Sequence, residues 1–282
     1  MVLLTVVFYL IKRADCLGKF EKVLIASDFD GTLKNDSGVI TEDVRRAIDY
    51  FISEGGFFTV CTGRTYQGFH MYDPSYINAP VLLTNGSMAY DYEKGETVFL
   101  NGIGEEGIAL VRAIMENFPQ VAVEMYPFNR TYAIHLDEHT HRHFTNQGIP
   151  YEVISDPSEA PLPWAKVMLG AHECSQEVQQ FMRENFSSPS FLPTTGGYIE
   201  IMKTGSDKGS GLLCLADYLG VPHERTYAVG DGYNDIEMLD AAAAGFVPCN
   251  GSPEAIYHAN YLVRSNNRGA VAHVIEILDS MY

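Results

Sequence analysis

Four short polar motifs occur in a fixed order along the chain, and this order constrains the fold more than any other feature. The motifs are Asp28-Phe29-Asp30-Gly31-Thr32, Thr62-Gly63-Arg64, Lys208-Gly209 and Gly230-Asp231-Gly232-Tyr233-Asn234-Asp235. Three of them directly follow short strand-like runs, at Val23 to Ala26, Phe57 to Cys61 and Thr226 to Val229. In an open parallel sheet, ligands bind outside the carboxyl ends of the strands. We therefore expect the motifs to meet in one crevice, where carboxylates, a hydroxyl and an ammonium suit a hard cation and a phosphoryl group.

The four motifs resemble those of the haloacid dehalogenase-like superfamily, and most of all its Cof-type sugar-phosphatase branch. The resemblance covers roughly residues 22 to 280. It implies that Asp28 is the nucleophile and Asp30 the acid/base residue, and that Thr62 and Lys208 bind the phosphoryl group. It also implies a magnesium cluster in which the direct ligands are Asp28, the backbone carbonyl of Asp30, and Asp231.

The pair Asp28 and Asp30 flanks Phe29 at the end of the first strand-like run. On an extended strand, positions i and i+2 point the same way, so both carboxylates would face one spot. One carboxylate can attack phosphorus, and the other can exchange a proton with the leaving oxygen. Gly31 permits a sharp turn next to them. The alternative is a turn rich in aspartate that only ends a strand, because Asp-Gly pairs commonly form turns.

The second acidic pair, Asp231 and Asp235, lies four residues apart around Asn234. Magnesium prefers oxygen ligands in an octahedron and retains some of its water. Asp235 could bind the ion directly or through water, or it could hold Lys208 in place. Alternatively, Asp235 only caps the helix that follows it.

The phosphoryl group needs donors and positive charge. Thr62 would donate a hydrogen bond from its hydroxyl, and Gly63 would donate one from its backbone N–H. Lys208 would supply a positive charge that shields the aspartate from the negative charge of the phosphoryl group. A simple strand-end turn and a solvated surface lysine are the alternatives for these residues. The further candidates for substrate binding are Arg64, Asn85, Gly86 and Asn234. At Asn250-Gly251 the order of glycine and asparagine is reversed relative to the family pattern, so substrate contact by Asn250 is not implied.

The pattern of elements predicts an α/β fold, with a Rossmann-like, doubly wound parallel-sheet core and an inserted α+β domain. Strand-like and helix-like segments alternate at both ends of the chain, which is typical of parallel sheets. We predict a core at residues 22–86 and 203–282, an inserted domain at 87–202, and an extension at 1–21. The insert resembles the C2-type cap of the Cof-like branch, which would close over the crevice and exclude water.

The pattern of helices and hairpins in the insert differs from the alternation of strands and helices in the core. The predicted elements are a helix from Glu105 to Phe118, strands from Val121 to Tyr126, Tyr132 to Leu136, Tyr151 to Ile154 and Trp164 to Leu169, a helix from Gln176 to Phe186, and a hairpin of Ser190 to Thr194 with Tyr198 to Met202. In its first hairpin, Glu124, Tyr126 and Arg130 are candidates for substrate contact. His139 and His143 would share a helix face, and could bind zinc or form part of a polar surface.

Composition narrows the range of partners and compartments. The chain has 282 residues, 46% of them hydrophobic, and a net charge of −17, which argues against nucleic acid and anionic membranes as partners. Its five cysteines form no Cys-x-x-Cys pair, which favours reduced thiols and a cytoplasmic location. The apolar stretch at residues 1–11 is too short for a membrane-spanning helix and has no basic residues before it, so no stable membrane association is expected.

Together these features predict a magnesium-dependent phosphatase that acts on a small phosphorylated metabolite, a sugar phosphate being favoured, through an aspartyl-phosphate intermediate. A phosphomutase of the same core and cap type is the nearest alternative, because it would return the phosphoryl group to a second hydroxyl. A non-catalytic metabolite sensor is the alternative from another class. The motifs leave the particular substrate and the oligomeric state open.

Overall fold

The computed structural model describes residues 18–282, so the apolar stretch at 1–11 and most of the predicted extension at 1–21 lie outside the described residues. The chain divides into two compact units. The second unit comprises Thr62–Asp73 and Leu82–Gly211, and the first contains the rest of the described residues. None of the helices in the described residues combines the length and the apolar character that crossing a bilayer requires.

The strands in chain order are β1 (Leu24–Ser27), β2 (Phe57–Val60), β3 (Val81–Leu83), β4 (Met88–Asp91), β5 (Glu96–Leu100), β6 (Ala122–Tyr126), β7 (Tyr132–Ile134), β8 (Glu152–Val153), β9 (Lys166–Gly170), β10 (Ser190–Pro193), β11 (Tyr198–Met202), β12 (Thr226–Val229), β13 (Ala244–Pro248) and β14 (Tyr261–Val263). The α-helices are α1 (Glu42–Ser53), α2 (Tyr66–Phe69), α3 (Glu105–Asn117), α4 (Glu138–Gln147), α5 (Ser175–Asn185), α6 (Lys208–Leu219), α7 (Ile236–Ala241), α8 (Pro253–Tyr257) and α9 (Ala270–Met281).

The first unit is built on a five-stranded parallel sheet in the order β14-β13-β12-β1-β2. Its central strands β1 and β12 are buried at every position, as expected for a parallel sheet that is covered on both faces. Helix α1 packs against α9, and it places Val44, Ile48 and Phe51 in the core. The predicted parallel sheet is present, and β1 and β12 end at the first and last motifs.

The second unit contains a six-stranded sheet in the order β10-β11-β9-β6-β7-β8. Alternate residues of β6, β9 and β11 pack with apolar residues of α3 and α5 in one large core cluster. The opposite face carries a smaller cluster around Tyr126 and Phe144, the latter from α4. Because side chains alternate along a strand, the polar residues Lys166, Glu200 and Glu124 share this second face.

A hairpin that the sequence analysis did not predict joins β4 to β5. The Asp91 side chain accepts hydrogen bonds from the backbone N–H groups of Glu93 and Lys94, and Gly95 adopts a positive φ of 71°. These contacts close a tight turn. With β3, the hairpin forms a three-stranded sheet.

Several predicted boundaries are wrong by a few residues, for local reasons. The apolar pattern after the last motif predicts a helix from Asp235 to Ala244. The observed helix ends at Ala241, because Ala242 is extended and β13 begins at Ala244. The strand expected from Tyr132 to Leu136 ends at Ile134, because His135 has a φ of 51°, which no strand accommodates.

Candidate active site

Three carboxylates of the first unit lie together at the carboxyl ends of β1 and β12. Asp28, Asp231 and Asp235 each offer an oxygen within 4.8 Å of the others, and within residues 18–282 they are the sole group of three or more acidic, histidine or cysteine side chains with this property. Asp28 directly follows β1, and its N–H donates to the carbonyl of Val229 at the end of β12 at 2.7 Å. An all-carboxylate donor set fits a hard cation such as Mg²⁺.

The turn after Asp28 is shaped to hold Asp231. Gly31 has a φ of +90°, and a Cβ at this position would lie 2.7 Å from Asp231 Oδ2. Glycine is therefore required here both by the backbone conformation and by the close approach of the carboxylate. The Thr32 hydroxyl donates to Asp231 Oδ1 at 2.5 Å. Two neighbouring residues of the first motif thus position an acidic residue of the last motif.

Asp235 is 1% exposed, and its carboxylate accepts two local hydrogen bonds. Its Oδ2 accepts from the N–H of Asp231 at 3.0 Å and from that of Gly232 at 2.8 Å. These bonds close the 3₁₀ turn Tyr233–Asp235, whereas its side chain does not cap α7. The capping alternative is therefore wrong for α7. Asp235 shapes the loop that carries Asp231, and it lies within the acidic group.

Asp30 differs from Asp28 in exposure and partners. Strand β1 ends at Ser27, and Asp30 lies in the irregular turn Phe29–Leu33 rather than on an extended strand. The alternation of side chains along a strand therefore does not set the direction of the Asp30 side chain. Its carboxylate forms an ion pair with Lys34 at 2.7 Å, and its side chain is 47% exposed. A half-exposed carboxyl group can exchange protons with an entering alcohol or water more easily than the buried Asp28.

The Thr62-Gly63-Arg64 motif of the second unit is joined to the residues after β3 by backbone hydrogen bonds. The Thr62 N–H donates to Leu82 O, the Asn85 N–H to Thr62 O and the Thr84 N–H to Arg64 O, each at 2.9 Å. The Thr62 hydroxyl accepts from the Arg64 N–H at 3.2 Å. The structure therefore places Thr62, Gly63 and Asn85 side by side.

Residues 84–86 form an unusual turn with three consecutive positive φ angles. The values are 48° for Thr84, 51° for Asn85 and 82° for Gly86. A β-branched residue in this region is strained, and such strain is typical of functional sites. The Ser87 hydroxyl stabilises the turn by donating to Thr84 O at 2.8 Å. A Cβ on Gly86 would lie 2.4 Å from Asp207 O and 3.1 Å from Lys208 Cα, so the turn abuts the first residue of α6.

Lys208 is fully buried at the start of α6. A surface lysine would be solvated, so the solvated-surface alternative is wrong for this residue. The backbone contact with Gly86 places Lys208 beside the turn that also holds Thr62. The second unit therefore places the backbone of Lys208 beside the turn to which Thr62 is hydrogen-bonded. A hydroxyl, backbone N–H groups and an ammonium are the donors that a phosphoryl group needs.

An ion pair that the sequence analysis missed lies against this turn. Lys166 Nζ donates to Gly63 O at 3.2 Å and to Glu200 Oε1 at 2.8 Å, and Asn85 Nδ2 donates to Glu200 Oε2 at 3.2 Å. Both side chains of the pair are about nine-tenths buried. Each of two otherwise apolar strands contains a charged residue. This pattern could have indicated a buried ion pair, because charged residues are seldom buried without a partner.

The remaining candidates lie as follows. The Arg64 guanidinium donates to Gly68 O at 3.4 Å and lies 5.1 Å from the centre of the Tyr72 ring. Asn234 is in the 3₁₀ turn of the last motif. The Asn250 amide donates to Asn266 Oδ1 at 2.9 Å, which is a contact between loops of the first unit.

In the hairpin of β6 and β7, Glu124 and Tyr126 are buried and bonded to each other, while Arg130 is exposed. Burial, and then the Glu124 carboxylate, raises the pKa of Tyr126 well above its usual value. Its hydroxyl therefore stays protonated and donates to Glu124. His143 Nδ1 lies 3.0 Å from Glu124 Oε1, whereas the His139 ring packs at a tilt against the ring of His172. The two histidines of α4 thus have different partners.

Comparison with known proteins places these motifs in a family. The model of the haloacid dehalogenase-like hydrolases matches residues 25–275. A candidate phosphatase of Bacillus subtilis, YxeH, is 26% identical over 264 residues, covering 90% of this chain and 97% of its own length. The 5-amino-6-(5-phospho-D-ribitylamino)uracil phosphatase YitU of the same organism is 25% identical, covering 90% and 96%. A haloacid dehalogenase-like hydrolase from Bacteroides thetaiotaomicron has the same fold, with a TM-score of 0.79, 22% identity and coverage of 91% and 99%.

The chain belongs to the haloacid dehalogenase-like hydrolase family, since the family model spans most of its length. The comparisons confirm the family, the α/β fold class and the enzyme class, a phosphatase, that the sequence predicted.

Proposed function

We propose that the enzyme is a magnesium-dependent phosphatase that hydrolyses a small phosphorylated metabolite, in the first place a sugar phosphate, through an aspartyl-phosphate on Asp28. The observation that carries the proposal is the group of three carboxylates, Asp28, Asp231 and Asp235, within 4.8 Å. Mg²⁺ held by these oxygens and by the backbone carbonyl of Asp30 would offset the negative charge of the carboxylates and of the phosphoryl group.

In the first proposed step, an Asp28 carboxylate oxygen attacks phosphorus and the bond from phosphorus to the ester oxygen breaks. Asp30 gives its proton to the leaving alkoxide, which departs as an alcohol. The half-exposed position of the Asp30 carboxyl group supports this role, because the leaving group must reach it. Asp30 must carry a proton before it can donate one, so its ion pair with Lys34 must open as the carboxylate becomes protonated.

In the second step, Asp30 accepts a proton from a water molecule as the water oxygen attacks phosphorus. The bond between phosphorus and the Asp28 oxygen breaks, and inorganic phosphate leaves. Thr62, the Gly63 N–H and Lys208 hold the phosphoryl oxygens in both steps. Their grouping around the residue 84–86 turn supports this assignment, as does the burial of Lys208. Arg64, Asn85, Gly86 and Asn234 remain proposed substrate-binding residues.

We also propose that residues 87–202 act as the cap that selects the leaving group, with 22–86 and 203–282 as the catalytic core. The name of the relative YitU specifies a phosphate carried on a ribityl chain. This supports a polyhydroxylated substrate for the present enzyme. The proposed location of the reaction is the cytoplasm.

The test is a panel of phosphorylated metabolites, with phosphate release as the readout, in the presence of Mg²⁺ and after chelation. The Asp28→Asn variant serves as the matched control, because the change is nearly isosteric. We expect Mg²⁺-dependent phosphate release by the wild type and none by the variant. Isomer formation without phosphate release would instead identify a phosphomutase, and inactivity over the whole panel would contradict an enzymatic role.

A further inference from the structure

The buried ion pair Lys166–Glu200 has hydrogen-bonding capacity that its protein partners do not use. A lysine ammonium has three donors, and a carboxylate has about four acceptor positions. Lys166 donates to Gly63 O and Glu200, and Glu200 accepts from Lys166 and Asn85. Within the described residues, one Lys166 donor and about two Glu200 acceptor positions therefore have no hydrogen-bond partner.

These unused positions lie next to the proposed phosphoryl site. Lys166 Nζ is 3.2 Å from the carbonyl of Gly63, whose N–H is proposed to bind a phosphoryl oxygen. Glu200 is bonded to Asn85, which is in turn bonded through its N–H to Thr62. The pair is thus one hydrogen bond away from the proposed phosphoryl-binding residues.

The surroundings of the pair suit a carbon chain that carries hydroxyl groups. Met168 follows Lys166 by two residues on β9, and Tyr198 precedes Glu200 by two residues on β11, so both lie on the same face of the sheet. Met168 and Tyr198 are each partly exposed, whereas the ion pair is about nine-tenths buried. Apolar and aromatic surface beside a donor and an acceptor matches the mixed character of a sugar or sugar alcohol.

We propose that Lys166 and Glu200 form a hydroxyl-reading subsite for the leaving group, in which a substrate hydroxyl close to the phosphoester accepts from Lys166 and donates to Glu200. The proposal rests on the proposed phosphatase function. A hydroxyl uses the spare positions of both members of the pair at once, whereas an alkyl chain leaves the spare Lys166 donor and the spare Glu200 acceptor positions without a partner in a buried place. Such a site rejects the analogue that lacks the hydroxyl far better than an apolar pocket rejects a shorter chain.

The alternative is that the ion pair only holds the residue 84–86 turn in place. Both roles predict lower activity when the pair is removed, but they differ in which substrates are affected. If the pair is purely structural, its removal lowers the activity on every phosphate ester alike, because all of them need the phosphoryl site. If the pair binds a hydroxyl, its removal lowers the activity only on esters that carry the hydroxyl.

The experiment compares kcat/KM for ribitol 5-phosphate, for pentyl phosphate of the same chain length and for p-nitrophenyl phosphate. The variants are Lys166→Met, Glu200→Gln and the double variant. The double variant is included because removal of one member of a buried pair leaves an uncompensated charge and can unfold the chain. Arg112→Met is the matched control, since it removes an exposed ion pair with Asp156 in the same unit.

We expect the wild type to prefer ribitol 5-phosphate to pentyl phosphate. The double variant should lose about 10- to 100-fold in kcat/KM on ribitol 5-phosphate, the range expected for leaving buried groups unsatisfied, and less than about threefold on the other two esters. The control should change none of the three. Equal losses on all three esters, or a wild type without preference, would overturn the subsite and leave the phosphatase intact. A wild type inactive on all three would refute the phosphatase function, and the subsite with it.

Discussion

The most specific structural prediction concerns Gly31, because the chain contains a matched control for it. Gly31 and Gly38 both have positive φ angles, +90° and +75°. A Cβ on Gly31 would lie 2.7 Å from Asp231 Oδ2, whereas a Cβ on Gly38 would have no atom within 4 Å. The two alanine variants therefore share the backbone strain but differ in the clash with the acidic group.

The expected costs follow from these distances. A left-handed backbone conformation costs an alanine about 1 to 2 kcal/mol. The free energy of unfolding should fall by this amount in both variants. At Gly31 the carboxylate of Asp231 must also move, and its bond from the Thr32 hydroxyl, 2.5 Å in the wild type, is then broken. A lost hydrogen bond to a partly buried charged group such as Asp231 adds about 1 to 3 kcal/mol. We expect Gly31→Ala to lower the free energy of unfolding by about 2 to 5 kcal/mol, and Gly38→Ala by about 1 to 2 kcal/mol.

Two assays check this reasoning. Denaturant unfolding measures the stability of each variant, and the rise of the melting temperature with Mg²⁺ concentration measures ion binding without any substrate. Gly38→Ala should bind Mg²⁺ as the wild type does. Gly31→Ala should bind it at least about tenfold more weakly, which corresponds to about 1.4 kcal/mol. Equal Mg²⁺ binding by the two variants would refute the claim that Gly31 leaves room for an Asp231 ligand.

Three further outcomes are expected. Asp28→Asn should retain the fold by circular dichroism and lose more than about a thousandfold in kcat, or about 4 kcal/mol of barrier lowering, because an amide is a poor nucleophile; a smaller loss in steady-state assays would count against covalent catalysis. Exhaustive chelation should abolish activity, and Ca²⁺ should bind but fail to restore it, because its coordination shell is larger and looser; full activity in the chelator would exclude the metal requirement. Asp235→Asn should weaken Mg²⁺ binding in the same melting assay and loosen the loop that it closes, and an unchanged Mg²⁺ response would remove Asp235 from the metal site.

The parallel sheet and the order of the motifs could be predicted because buried strands leave a direct signal, an apolar run followed by turn residues. Strand β1 and strand β12 are of this kind. The hairpin of β4 and β5 could not be predicted in this way, because the first two residues of β5 are polar and exposed and the other three are only partly buried. Its turn depends on hydrogen bonds that the Asp91 side chain accepts from two backbone N–H groups, and such bonds leave no periodic pattern in the sequence.

The acidic group was predictable at the level of residue types, but its geometry was not. Alternating side chains on an extended strand would bring Asp28 and Asp30 together, but the strand ends one residue before Asp28. The pair Lys166–Glu200 depends on the neighbouring positions of β9 and β11, which are 34 residues apart in sequence. Such pairings are set by the tertiary register of the sheet, and no local pattern specifies them.

The central claim is that Asp28 carries the phosphoryl group during turnover, and the Asp30→Ala variant tests it most directly. A nitrophenolate leaves without a proton, so the variant should still form the intermediate from p-nitrophenyl phosphate. The second step lacks its general base and should slow by about 10²- to 10⁴-fold. Rapid quenching followed by intact-mass measurement and peptide mapping should therefore find one phosphoryl group, on Asp28. A variant that turns over the ester with no phosphorylated enzyme at any time point, or with the group on another residue, would contradict the account.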